Sequence, residues 1–172
     1  SLLYRDSEDE PFEPVLTTNF KETLSPEFFT FDNKKLYASS NLNRDKTAIV
    51  VFDPKAGKEE KVLYEDPDFD VSGLNYSQKD KKLTAVSYTG IKHKYHFFDE
   101  EMKSIHAKLQ KEFPEMEIYL VSSNDDEDKF IVRTYGDKSL GDYHLYDKKS
   151  GELTYIGDPS PWLEEKYMAS MN

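Results

Sequence analysis

The sequence predicts an all-β fold, a partial β-propeller of about three and a half four-stranded blades, with one amphipathic helix near residues 100–113. Three observations predict it. Aromatic–acid pairs end short strands at a near-constant spacing. Charged turns lead into apolar strands at the same spacing. Each repeat also carries short runs of β-branched and aromatic residues bounded by Pro, Gly, Asp and Asn, which are strand and turn signals.

The aromatic–acid pairs are Tyr4-Arg5-Asp6 (with one insertion), Phe52-Asp53, Phe98-Asp99 and Tyr146-Asp147. Positions 4, 52, 98 and 146 step by 48, 46 and 48 residues. The second anchor is Lys34-Lys35-Leu36, Lys81-Lys82-Leu83 and Asp128-Lys129-Phe130, where positions 36, 83 and 130 step by 47 and 47. A unit of about 40–50 residues with four strands is the blade of a propeller, and such blades bury their faces by stacking. The alternative from the residues alone is a two-sheet sandwich.

The first repeat is a half-blade over 1–24, with its strands inside Leu2–Leu16. The second, about 25–69, reads as strands Glu27–Phe31, Leu36–Ser40, Thr47–Phe52 and Lys58–Tyr64. Its third turn is Asp53-Pro54-Lys55-Ala56-Gly57. The fourth, about 115–163, repeats the plan with Ile118–Ser122, Phe130–Tyr135, Asp142–Tyr146 and Glu152–Ile156. Its third turn, Asp147-Lys148-Lys149-Ser150-Gly151, matches Asp53–Gly57 chemically. The recurring Asp53, Asp99 and Asp147 are expected to cap turns with their own side chains.

The third repeat, about 70–114, departs from this plan. Met102, Ile105, Leu109 and Phe113 fall three and four residues apart after Phe98-Asp99, one apolar stripe of a helix. Asp99 is placed to cap it and Pro114 to end it. The helix replaces or covers that blade's outer strand.

Hydrophobic residues are 37% and charged residues 33% of the 172, a polar mixture, but 12 Tyr and 11 Phe argue for a folded aromatic core. The net charge of −11 disfavours nucleic acid and anionic membrane. No apolar run reaches the roughly 20 residues of a membrane span. With no Cys, disulfides, thiol catalysis and thiolate metal sites are excluded. No signal peptide is legible at Ser1, and the strand-like start Ser-Leu-Leu-Tyr reads as that of a trimmed or processed chain.

The run Lys94-Tyr95-His96-Phe97-Phe98-Asp99, the helix, and Phe113-Pro114 resemble the late propeller region of bacterial prolyl oligopeptidase-family serine peptidases, those of acylaminoacyl-peptidase or dipeptidyl-aminopeptidase type. Leu140-Gly141-Asp142-Tyr143-His144-Leu145-Tyr146-Asp147 resembles that family's Pro-Gly-x-Tyr-Tyr-Leu-Tyr-Asp run, with Leu140 for Pro and His144 for Tyr. Pro161-Trp162-Leu163 followed by Met168-Ala169-Ser170-Met171 resembles its Pro-Trp-Leu…Met-Ala-Pro-Met segment, with Ser170 for Pro. The resemblance is most specific over 92–172. It implies that 1–163 is the propeller part and 164–172 a linker toward an α/β-hydrolase domain of the same parent chain, which holds the Ser, Asp and His. It implies a gate that admits short peptides, the parent's substrates, and excludes folded proteins; the sequence leaves the compartment open between bacterial cytoplasm and periplasm.

The chain itself supplies no catalytic, cofactor or metal site to this reading. It has no Gly-x-Ser-x-Gly, and Ser72 and Ser150, which precede glycines, are expected in turns. Asp125-Asp126-Glu127-Asp128 lacks the Gly and spacing of a calcium loop and reads as a solvated turn. His93 and His96, three apart on a strand, point to opposite faces. His106 lies beside the helical stripe, and His144 alternates with its strand neighbours. Glu164-Glu165 sits in the linker. Trp162 is the candidate interdomain contact, or else packs the linker on the last blade. The other function classes are a non-catalytic propeller scaffolding protein partners and a carbohydrate-binding propeller. Sugar stacking would need exposed aromatics, and Trp162 is the one Trp. Open blade edges are expected to favour self-association.

Overall fold

A computed structural model describes residues 1–170. Met171 and Asn172, the end of the expected linker, lie outside the described residues. The chain forms two compact units. One comprises Ser1–Tyr76 and Lys81–Phe98; the other comprises Ser77–Asp80 and the chain from Asp99 onward.

Among the described residues the fold is all-β with one α-helix, in four open antiparallel sheets taken in chain order. In the first unit, β1 (Leu2–Tyr4) pairs with β2 (Glu13–Leu16). A four-stranded meander follows: β3 (Leu24–Phe29), β4 (Leu36–Ser40), β5 (Ala48–Asp53) and β6 (Lys58–Tyr64). A three-stranded sheet comes next: β7 (Val71–Ser77, its last residue counted with the second unit), β8 (Lys82–Thr89) and β9 (His93–Phe97). The second unit holds α1 (Glu100–Glu112) and the meander β10 (Glu117–Ser123), β11 (Lys129–Tyr135), β12 (Tyr143–Asp147) and β13 (Leu153–Gly157). A single 3-10 turn, Glu165–Tyr167, lies beyond it.

Strand composition explains the layering. In β4, Leu36, Ala38 and Ser40 alternate inward and are buried. In β5, the apolar run is buried on both faces, as expected of a strand covered on both sides. Ala48, Val50 and Phe52 join Leu36 and Ala38, against which Leu2, Val15, Leu16 and Leu24 pack. Ile49, on the other face, joins Val71, Val86 and Tyr88. Within the first unit, the sheets therefore stack through two apolar clusters. Phe52, Ile49 and Val50 are fully buried, each worth about 1.5–3 kcal/mol relative to exposure.

The helix begins and ends for local reasons. Asp99, in extended backbone, accepts the Met102 amide at 2.9 Å, and Glu100 and Glu101 favour the positive end of the helix dipole. The Phe113 amide closes on the Leu109 carbonyl at 3.0 Å, and Pro114 follows. In chain order, α1 takes the place of a fourth strand after β9. Its apolar stripe packs in the second unit: Ile105 and Leu109 are buried with Ile118, Phe130, Val132 and Tyr146, with Met102 and Phe113 beside them.

Turns recur as the period demands. Asp53 Oδ1 accepts the amides of Lys55 and Ala56 at 2.9 and 3.0 Å, and Asp147 Oδ1 those of Lys149 and Ser150 at 2.9 and 3.1 Å. Both turns close with left-handed glycines, Gly57 (φ 64°) and Gly151 (φ 73°). The turns before β4 and β11 also match. The Thr30 and Asn124 amides bond the carbonyls of Lys35 and Lys129, and the Asn33 and Glu127 amides those of Thr30 and Asn124. Asn33 and Glu127 both have φ near +50° to +56°.

Two sequence expectations shift. The first strand of the second repeat is Leu24–Phe29 rather than Glu27–Phe31. It is an edge strand, so Pro26 is tolerated beside the register shift between Pro26 and Phe28. Thr30 leaves the strand because its hydroxyl donates to Asp32 at 2.6 Å and accepts the Lys35 amide at 3.0 Å. Ser72 lies inside β7 rather than in a turn, whereas Ser150 does lie in one.

Candidate functional site

The residues singled out in the sequence occupy separate places. Trp162 stands 74% exposed in the turn closed by the Leu163 amide on the Ser160 carbonyl at 2.9 Å. Glu164 pairs with Lys166. His93 and His96 sit on opposite faces of β9: His93 meets Tyr95 edge-on at 4.8 Å, and His96 stacks on Tyr64 at 4.3 Å. His106 is half-buried on α1.

Two residues of the acidic run, Glu127 and Asp128, are held by internal partners. In the second unit, Glu127 accepts the Ser77 hydroxyl at 2.5 Å and the amides of Gln78 and Lys79 at 2.9 and 3.2 Å. Those bonds hold a glutamate in the left-handed region. Asp128 pairs with Lys149 and accepts the Asn124 side-chain amide at 2.8 Å, and these partners hold its carboxyl below the usual range. Among the described residues, no group of three or more His, Asp or Glu is arranged to hold a metal ion. Nor is any helix long and apolar enough to cross a membrane.

His144 is buried on β12, between Phe113 at 4.9 Å and Tyr155 at 5.6 Å. Its Nδ1 has no hydrogen-bond partner. Burial pushes its pKa down, against a weaker upward pull from Asp142.

The distinctive site lies on the other face of the same sheet. Strand β11 alternates, with Phe130, Val132 and Thr134 buried in the core and Arg133 and Tyr135 on the opposite face. Pairing sets Arg133 opposite Tyr119 of β10 and Tyr143 of β12. The guanidinium carbon lies 5.9 Å from the ring centroids of both Tyr135 and Tyr143, the range of cation–π attraction. Tyr119, Val121, Arg133 and Tyr135 line a hollow of about 270 Å³. Val121 is exposed there because β10 shifts register between Leu120 and Ser122.

Arg133 is poorly partnered for a half-buried cation. Its Nη2 donates a long bond to the Leu140 carbonyl at 3.4 Å, and its Nε is buried without an acceptor. Among the described residues, no carboxylate oxygen lies within 4.0 Å of it. Tyr119 donates to Glu117 at 2.6 Å, which fixes that ring at the rim. The sequence held one signal for this site, a lone arginine inside an apolar strand and two residues from Tyr135. Its pairing with Tyr119 and Tyr143 depends on register and is not visible there.

In the first unit, a larger hollow of about 490 Å³ is lined by Glu22, Lys58, Glu59 and neighbours. Its carboxylates are already engaged, Glu22 by Asn19 and Asn43, and Glu59 by Arg44 and Ser40. No protein-family model, curated protein or solved structure matches the chain.

Proposed function

We propose that the sheets are consecutive blades of a β-propeller belonging to a prolyl oligopeptidase-family serine peptidase. In that parent, the propeller admits short peptides to an α/β-hydrolase site and excludes folded proteins. The observation that carries this reading is the recurrence of whole turns: Asp53 and Asp147, 94 residues or two steps of 47 apart, make the same two-amide cap. Antiparallel sheets in chain order, stacked through apolar faces in the first unit, support it. So does the family resemblance over 92–172. Trp162, exposed beyond the last sheet, suits a contact with the hydrolase domain. The open sheet edges suit self-association of the isolated chain.

The test is to sequence the gene past the codon for Asn172 and to treat its full product and the present chain with a fluorophosphonate probe. The expected result is a further domain of about 200–250 residues with Gly-x-Ser-x-Gly, then Asp and His, and labelling of the full product alone. A stop codon or an unrelated domain overturns the peptidase reading and leaves a non-catalytic binding propeller.

A further inference from the structure

We propose that Arg133 is a carboxylate-binding residue, and that the hollow it shares with Tyr119, Val121 and Tyr135 receives a carboxylate-bearing peptide. This inference stands on the second unit alone and does not depend on the peptidase reading.

Asp and Glu outnumber Lys and Arg by 34 to 23 in this chain. Acceptors are abundant, and the half-buried Arg44 takes one, pairing with Glu59 through both nitrogens. Arg133 has no such partner. It keeps one long bond and a buried Nε with no acceptor. A buried polar group left unsatisfied, as the Nε is, is uncommon and costly. A ligand that supplies the missing acceptors offsets that cost.

The surroundings select the ligand. A guanidinium is a planar fork whose paired N–H groups match the two oxygens of a carboxylate. Tyr135 and Tyr143 flank the cation, and Tyr119 lies across the strand pair. Their rings and Val121 offer an apolar wall to the group that carries the carboxylate. A bare inorganic anion would leave that wall unused. A hollow of about 270 Å³ suits one or two peptide residues. Two sources carry this chemistry: the C-terminal carboxylate of a peptide, and an Asp or Glu side chain within one.

The full chain, ¹⁵N-labelled, allows a direct test. It has three arginines, Arg5, Arg44 and Arg133, so their Nε–H signals can be assigned from Arg5→Lys and Arg44→Lys variants. Three probes are titrated: acetyl-Ala-Phe as free acid, the same peptide as its amide, and acetyl-Ala-Glu-Ala amide. The expected result is a saturable shift of the Arg133 signal with the free acid and none with its amide. Affinity should fall roughly tenfold or more in Arg133→Gln, the loss of a charge-assisted pair. A stronger response to the Glu peptide supports the proposal and assigns the side-chain source. A shift of the Arg133 signal as large with the amide as with the acid overturns it, as does an unmoved Arg133 signal with both carboxylate peptides. Should Arg133→Gln fail to fold, the acid–amide comparison on the unaltered chain decides alone.

Discussion

Glu59 grips Arg44 at both ends, with Nη1 donating to Oε1 at 3.0 Å and Nη2 to Oε2 at 2.5 Å, and it also accepts the buried Ser40 hydroxyl at 2.5 Å. Both charged side chains are only about one-fifth exposed, at 20% and 17%. Removing one partner leaves the other charge desolvated, which costs more than the intact pair contributes. Glu59→Gln should lose about 2–3 kcal/mol, read from the urea midpoint at unchanged slope. The double variant Arg44→Met with Glu59→Met should lose less than the sum of its single changes. Strict additivity would show that the two residues act independently.

Gly141 predicts a sharper effect. Its φ is +88°, and a Cβ there would lie 1.5 Å from the Thr134 carbonyl oxygen, a backbone atom that cannot swing aside. The chain is held at that point by the Thr134 amide on the Asp142 carbonyl and the Asp142 amide on the Thr134 hydroxyl, both at 3.0 Å. Gly141→Ala should cost more than about 3 kcal/mol and disrupt the β11–β12 pairing. Gly151→Ala is the control: φ is +73° but nothing lies within 4 Å, so only the left-handed penalty of about 1–2 kcal/mol applies. Comparable melting temperatures for the two variants would show that the close approach is relieved by movement.

These two positions show what was legible in the sequence. The Asp147–Gly151 turn was readable because an Asx turn and its glycine are encoded by residues in contact along the chain. The helix was readable because a 3.6 period and its cap are equally local. The edge strand β3 runs Leu24–Phe29 where the sequence predicts Glu27–Phe31, since Pro26 and Thr30 compete locally with the ladder and tertiary pairing decides the outcome. Which side chains surround Arg133 depends on its pairing with Tyr119 of β10 and Tyr143 of β12, a register that only the folded sheet fixes.

The helix supplies a third prediction. Leu109 is 1% exposed and sits with Ile118, Phe130 and Val132. Truncating it opens a cavity in a cluster that α1 itself completes. Leu109→Ala should cost about 2–5 kcal/mol and speed amide hydrogen exchange in α1 and β10 before the first unit responds. Uniform exchange across the whole chain would show instead that the two units unfold as one.

Burial lowers the pKa of His144 below the roughly 6.5 of a free imidazole. Between the folded and unfolded values, the unfolded chain binds a proton that the folded chain refuses, so stability rises with pH in that window. The His144 contribution is thus complete above about pH 6.5 and is lost as pH falls through the lowered folded value. Phe113 and Tyr155 flank the ring, and Asp142 is the acid that favours its charged form, incompletely. His144→Phe keeps an aromatic ring in the slot and removes the titration. The gap in unfolding free energy between variant and parent should widen in favour of the variant from pH 7 down to pH 5. His93, His96 and His106 are common to both proteins and drop out of that difference. A gap constant across this range would place His144 in solvent contact rather than in the core.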